Sequence, residues 1–305
     1  MAHGISDPEN KKEYFDSTSD LNNKLDQLAQ WIKESRHFIV FTGAGISTST
    51  GIPDFRSGMD TVLQTGPGEW ELQDHKANRL KSSTVIDDMQ KAIPSLAHMA
   101  LVALQRQGIL KCVVSQNFDG LHLRSGLNPM GLAELHGNMN LETCSTCGAK
   151  YLRDFDTVGN RKHNTGRRCD KLNCRGRLKD SIINFGEDLP EDELEKAFDH
   201  AEQADLCLVL GSSLTVTPAA DVPKLVAKRK QKLAIGNLQR TPLHKIATLN
   251  IHAFSDTIMQ GIMERLNIPI PKWILRRRVH INCRHDSSAR RSKIDSATHS
   301  STVCI

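Results

Sequence analysis

Phe41-Thr42-Gly43-Ala44-Gly45-Ile46-Ser47, continuing through Thr48-Ser49-Thr50-Gly51-Ile52-Pro53-Asp54-Phe55-Arg56, decides how the rest of the chain is read. The apolar run ahead of it, His37 to Phe41, predicts a buried strand. Two glycines one residue apart then let the backbone turn tightly and come close to a ligand. Free N–H groups at a helix start beyond the turn suit a phosphate. The third glycine of the dinucleotide fingerprint is absent, with Thr48 in its place, and no second strand ends in an acid about 20 residues on. That disfavours a hydride-transferring dehydrogenase. Pro53 forces an extended segment ending in Asp54, Phe55 and Arg56, a set suited to holding a cofactor while it is cut.

At 305 residues the chain can bury a sizeable core in one large or two small domains. Its 38% hydrophobic and 25% charged content match soluble globular proteins, and a net charge of +5 permits an acidic partner without requiring one. No stretch is apolar enough to span a membrane, and Met1 to Tyr14 has no signal-peptide core. The eight cysteines are therefore expected in a reducing compartment, where clusters bind metal more often than they pair.

A helix beginning at Ser19 or Asp20 carries Leu21, Leu25, Leu28 and Ile32 on one face. Residues 57–92 read as a loop with short helical pieces. A helix from Pro94 to Gly108 precedes a strand over Leu110 to Val114, and Glu191 to Ala204 precedes one over Leu206 to Leu210. A helix from Pro218 to Lys230, strands at Leu233 to Ile235 and Leu249 to Ile251, and a helix from Ser255 to Leu266 follow. Strands apolar throughout, alternating with helices, predict an α/β fold whose parallel sheet is covered on both faces.

Cys144-x-x-Cys147 followed by Cys169 and Cys174 offers four thiolates, the complement of a closed tetrahedral zinc. Such a zinc is structural; the competing reading is four unrelated thiols. Cys112, Cys207, Cys283 and Cys304 lie in strands or tail and read as packing. Three strands are followed by polar clusters: Ser115-Gln116-Asn117-Phe118-Asp119-Gly120, Gly211-Ser212-Ser213 and Asn237-Leu238-Gln239. In a doubly wound sheet these ends and the Gly43 turn meet at one crevice. His136, between the sheet and the cysteines, is the histidine placed to take a proton from a ribose hydroxyl. His98, His163, His244 and His252 read as structural or surface residues.

Taken in order, the Gly43 turn, Gly51 to Arg56, Gln116 to His122, Glu134-Leu135-His136-Gly137-Asn138, the paired cysteines, Phe185-Gly186-Glu187, Gly211 to Ser213 and Asn237-Leu238 resemble the sirtuin NAD-dependent protein deacylases. The likeness covers residues 20–268, and the wording around His136 and Gln239 is most similar to the nuclear, chromatin-associated branch.

The resemblance implies a Rossmann-like domain over 19–140 and 178–268, with a zinc module over 141–177. A mobile arm over 1–18 and a basic disordered tail over 269–305 flank them. It implies that Gly43, Ala44, Gly45, Thr48, Asp54, Gly211, Ser212, Ser213, Asn237, Gln239 and Ser255 line NAD. Phe55 and Arg56 would cover its nicotinamide ribose and pyrophosphate, and Gln116 would touch the ribose. Ser47, Asn117 and Asp119 would surround nicotinamide, and His136 would be the general base. Cys144, Cys147, Cys169 and Cys174 would hold one structural zinc, while Phe185, Gly186 and Glu187 would take the acyl-lysine peptide by strand addition.

The implied products are free lysine, nicotinamide and O-acyl-ADP-ribose, with a histone as substrate, nuclear residence, and chromatin or DNA contact through the basic tail. Mono-ADP-ribosyl transfer is an alternative use of the same cleavage. A catalytically weak zinc-bearing chromatin adaptor is a rival class, suggested by that tail and by Arg161-Lys162 and Arg167-Arg168. Two departures stand out: no aromatic follows closely on Arg56, the nearest tryptophan being Trp70, and Phe118 is bulkier than the family's residue there.

Overall fold

Strand β1 (Phe38–Thr42) is buried along its whole length, so both its faces need cover. In the computed structural model, which describes residues 11–74, 89–275, 278–280 and 302–304, helices supply it. Helix α1 (Thr18–Glu34) precedes β1, and α2 (Glu69–Asp74), α3 (Leu96–Arg106), β2 (Leu110–Ser115), α4 (Leu121–Arg124) and β3 (Leu132–Glu134) follow it. Four short strands come next: β4 (Leu141–Cys144), β5 (Lys150–Leu152), β6 (Asn164–Arg168) and β7 (Arg177–Asp180). The chain then runs through α5 (Glu191–Gln203), β8 (Leu206–Leu210), α6 (Asp221–Lys228), β9 (Lys232–Gly236), β10 (Leu249–Ile251) and α7 (Ser255–Leu266).

The main sheet has the order β10-β9-β8-β1-β2-β3, every neighbouring pair parallel. Side chains alternate across it with period two. Phe38 and Val40 pack with Leu28 and Ile32 of α1, Leu101 of α3 and Ile262 of α7. Ile39 and Phe41 pack on the other face with Ala197 and Ala201 of α5 and Val222 and Val226 of α6. The expected α/β architecture is therefore present: a Rossmann-like, doubly wound parallel sheet. Cys112 and Cys207 are buried in it, as expected. The winding reverses between β1 and β8, whose last residues Thr42 and Leu210 lie level, so the turns beyond them meet.

The cysteine-bearing strands form a separate antiparallel sheet, β5-β4-β7-β6, reaching Asp180, past the expected end at 177. At its centre Glu142 is fully buried and accepts Arg153 Nε at 2.7 Å and Arg167 Nε at 2.8 Å. Arg167, read from sequence as part of a free basic cluster, is thus spent inside the sheet.

Several helix starts differ from expectation, two of them for reasons of capping. Helix α1 begins at Thr18 because the Ser17 hydroxyl accepts the Asp20 N–H. Helix α3 begins at Leu96, where Ser95 and His98 form a reciprocal capping box; α6 begins at Asp221 rather than Pro218, without a side-chain cap. That capping role buries His98 completely, with its ring 4.8 Å from the equally buried ring of His122. Burial holds both imidazoles down to about 3.

Residues 11–17, expected within a mobile arm, are laid against the sheet by long-range bonds that a polar stretch hides from sequence. Tyr14 N–H donates to the Leu238 carbonyl (2.9 Å), Asp16 N–H to that of His252 (2.9 Å), and Glu13 bridges Gln239 antiparallel.

Beyond Pro271 lies a second unit, in which β11 (Arg278–His280) pairs antiparallel with β12 (Thr302–Cys304). Of the expected basic runs Arg276-Arg277-Arg278 and Arg290-Arg291, Arg278 opens β11, while the others, and Cys283, lie outside the described residues. Among the described residues no helix is long and apolar enough to cross a membrane.

Candidate active site

The turns after β1 and β8 touch backbone to backbone. A Cβ on Gly45 would stand 2.7 Å from the Gly211 Cα, and one on Gly43 would stand 2.7 Å from the Ser212 Cα. Gly211 itself has φ +61°. Hydrogen bonds from Gly43 N–H to the Leu210 carbonyl (3.0 Å) and from Gly45 N–H to that of Gly211 (2.9 Å) lock the two turns together. These glycines are needed for contact between the loops as much as for contact with a ligand.

Just inside the turn lies a buried polar trio. Ser47 Oγ donates to Asp119 Oδ2 at 2.7 Å, while Asn117 Nδ2 donates to the Gly43 carbonyl (3.1 Å) and to Ser47 Oγ (3.4 Å). Ser47, Asn117 and Asp119 are all buried, and Asp119 Oδ1 accepts the Leu121 N–H, which fixes the carboxylate. A hydroxyl, an amide and a carboxylate at one spot can receive and orient a carboxamide.

His136 follows β3, one strand farther along. Its Nδ1 lies 2.7 Å from the Gln116 carbonyl, an acceptor only, so Nδ1 carries the hydrogen and Nε2 keeps its lone pair. Burial lowers the His136 pKa below 6.5, against a smaller opposite effect of the Gln116 bond. The Gln116 side chain accepts Ser212 Oγ at 2.6 Å, so two hydrogen bonds link the imidazole to the residue against which Gly43 packs. Two residues away, burial raises Glu134 to about 8, so it brings no negative charge to the imidazole at neutral pH.

The segment beyond Pro53 folds back on the loop. Asp54 Oδ1 accepts the N–H groups of Arg56 (3.0 Å) and Ser57 (2.9 Å), and Glu69 and Trp70 donate backbone N–H groups to the carbonyls of Asp54 and Phe55. Trp70 is the aromatic that seemed too distant in sequence. Its ring lies 5.2 Å from that of Phe55, under the Arg56 guanidinium at 4.4 Å, and 5.4 Å from that of Phe185. Phe118 packs beside Ile52 and Ile182 in the apolar cluster next door.

From the turn a cavity of about 360 Å³ runs toward β9, lined by Gly45, Thr48, Gly211, Asn237, Gln239 and Ser255. Asp54 and Glu13 also reach its wall, and Glu13 was not anticipated from sequence. Ala44 sits on the first turn, and Ser213 pairs its hydroxyl with Thr215 at 3.0 Å.

The segment 181–187 is held from two sides. Ile183 N–H donates to the His136 carbonyl (3.2 Å), and Ser181 Oγ donates to that of Asn138 (2.9 Å). On the other side the His163 imidazole spans Asp180 (2.8 Å) and Glu187 (3.0 Å), and the Asp180 and Glu187 bonds raise its pKa. Phe185, Gly186 and Glu187 do not form the expected strand edge: Glu187 N–H closes a turn on the Asn184 carbonyl (3.1 Å), Gly186 takes φ +92°, and Phe185 is left 66% exposed. His163, dismissed on sequence as structural, is the brace of this segment; 17 residues from Asp180 and 24 from Glu187, it gives no local signal.

The four cysteine sulfurs lie within 4.8 Å of one another, with Cys144–Cys174 and Cys147–Cys169 both at 3.6 Å. Zinc–sulfur bonds of about 2.3 Å at tetrahedral angles need sulfurs roughly 3.8 Å apart, so the donor set fits zinc with no position left open.

The Sir2 family model matches residues 43–218. NAD-dependent protein deacetylase SRT1 of Arabidopsis thaliana is 46% identical over 265 residues, 86% of this chain and 53% of that protein. NAD-dependent protein deacetylase Sirt6 of Drosophila melanogaster is 37% identical over 287 residues, covering 89% and 86% respectively. A solved structure of Sir2 with a p53 peptide and NAD+ aligns with a TM-score of 0.61 at 34% identity, over 80% of this chain and 99% of that one. The chain spans about half the length of the SRT1 proteins it matches.

Proposed function

This chain belongs to the Sir2 family, and from that membership we propose that it is an NAD-dependent protein-lysine deacylase acting on nuclear proteins such as histones. NAD would supply a nicotinamide leaving group and the sugar carbon that receives the acyl oxygen; with one water consumed to release the amine, the products are free lysine, nicotinamide and O-acyl-ADP-ribose. Ser47, Asn117 and Asp119 receive the carboxamide and hold it fixed. Phe55, Arg56 and Trp70 would cover the reacting sugar while nicotinamide leaves, shielding its carbon from water until the acyl oxygen has attacked. The peptide would run along the segment 181–184, with the turn at Phe185, Gly186 and Glu187 closing its end. Cys144, Cys147, Cys169 and Cys174 hold one zinc, which stiffens the small sheet.

The observation that carries the reading is the tautomer of His136. With Nδ1 committed to the Gln116 carbonyl, Nε2 is a neutral base beside the crevice, able to take the proton of a ribose hydroxyl. The adaptor reading loses support because Arg167 is consumed by Glu142. Mono-ADP-ribosyl transfer would use the same residues and differs only in the acceptor.

The test is nicotinamide release from NAD with histone peptides bearing acyl groups of increasing length, comparing wild type with His136→Tyr. Turnover that the variant loses supports the deacylase. Equal background in both would sink it, and formation of NADH would mark a dehydrogenase. ADP-ribose attached to protein would mark the transferase.

A further inference from the structure

We propose that Glu13, on the N-terminal segment, is the carboxylate that recognises the adenosine ribose of NAD and rejects the 2′-phosphate of NADP. The assignment rests on the NAD reading above. The carboxamide trio of Ser47, Asn117 and Asp119 lies on the β1–β2 side of the switch point, whereas the cavity extends the other way, to Asn237 and Gln239 after β9. That far end is the adenosine half. Dinucleotide folds meet the ribose hydroxyls with an acid at a strand end, usually that of the strand following the glycine turn, whereas this cavity runs to the opposite side of the switch point. Here β9 is followed by Asn237-Leu238-Gln239, and no acid stands among them. Glu13 supplies it from outside the sheet.

The carboxylate is held in place. Glu13 bridges Gln239 antiparallel, Oε1 accepts Thr61 Oγ1 at 2.7 Å and Oε2 accepts the Val62 N–H at 2.9 Å. Each oxygen keeps acceptor capacity for a ligand hydroxyl. Of the acids on the wall, Asp54 accepts from Arg56 and Ser57 and Asp256 gives one oxygen to the Ala97 N–H, whereas Glu13 is the one an antiparallel bridge sets beside Gln239. Among the described residues no lysine or arginine lines the cavity. A second phosphate beside Glu13 would therefore meet like charge on the cavity wall itself, the neighbouring cations, Arg240 and Lys12, being set on the Tyr14 ring.

The experiment is titration calorimetry of the chain with NAD and with NADP, run alongside nicotinamide release with an acyl-lysine peptide. In Glu13→Gln the preference for NAD over NADP should narrow by about tenfold, and Glu13→Lys should narrow it further. Lys11→Met serves as the control, because Lys11 ties the same segment to Glu71 at 2.7 Å but does not line the cavity. It should weaken both dinucleotides alike.

The assignment fails if both Glu13 variants keep the wild-type preference, or if they weaken the two dinucleotides equally, as Lys11→Met does. A shifted preference in a chain that releases no nicotinamide with any acyl peptide would keep Glu13 and discard the deacylase. A wild-type chain that binds neither dinucleotide discards both.

Discussion

His136 gives its Nδ1 hydrogen to the Gln116 carbonyl at 2.7 Å, and that bond settles which imidazole nitrogen can accept a proton. Replacing His136 with Ala or Tyr should lower acyl-peptide-dependent nicotinamide release by about 10²–10⁴-fold while leaving NAD binding measurable. Because burial depresses this imidazole below 6.5, the neutral base persists into mild acid. The wild-type rate should therefore be flat around neutrality and fall only below pH 6.5, through the His136 pKa. An acidic limb centred above that value would contradict the geometry.

Cys174→Ser removes one of four sulfurs that crowd within 4.8 Å. Structural zinc sites contribute roughly 10–16 kcal/mol of apparent binding free energy, comparable to a whole domain's stability. Elemental analysis should give one zinc per wild-type chain and much less in the variant, and a chelator should lower the wild-type melting temperature sharply. Unchanged melting in chelator would remove the zinc from the account.

His163 braces the peptide-facing segment through Asp180 and Glu187. Its folded pKa is raised above 6.5 by those two carboxylates, so its stabilising effect is complete below 6.5 and is lost as pH rises through the folded value. The melting-temperature gap between wild type and His163→Gln should be widest in mild acid and close in alkali. The peptide KM should rise in the variant while the NAD KM stays near wild type. A parallel change in both constants would show general loosening instead.

The His98–His122 pair acts in the opposite direction. Both rings are held down to about 3 by burial, whereas in the unfolded chain they titrate near 6.5. Between those values the unfolded chain binds more protons, so stability falls as pH drops. Urea midpoints should decline from pH 6.5 downward, and His98→Gln should flatten that decline even if it lowers stability at neutral pH.

Sequence revealed those parts of the molecule whose cause is local. Ile39 and Phe41 alternate with Phe38 and Val40, so an entirely apolar strand announces cover on both faces, and the cysteine spacing announces its metal. The Gly43 turn and the polar strand ends could be placed together because strand order forces them to one crevice. What was hidden depends on distant partners. Glu13 belongs to a polar stretch whose order comes from Thr61, Val62 and Gln239, far away along the chain. Trp70 stood too far from Arg56 in sequence, yet backbone pairing of residues 54–57 with 68–70 brings it under the guanidinium. Gly43 and Gly45 were legible as a ligand loop, but their packing on Gly211 was not, since nothing near them in sequence names the opposing turn.

One indole makes ring contacts with Phe55 and Arg56 on one side and with Phe185 on the other, the two sides to which the proposed function assigns dinucleotide and peptide. Occupants of the two sides would share this one buried indole as a wall, so the fit of one bears on the fit of the other. Thermodynamic reciprocity makes that effect mutual, so whatever factor the peptide gains from a bound dinucleotide, the dinucleotide gains from the peptide. On the proposed function the two substrates would in this sense be cooperative ligands, whose joint affinity does not depend on the order in which they arrive.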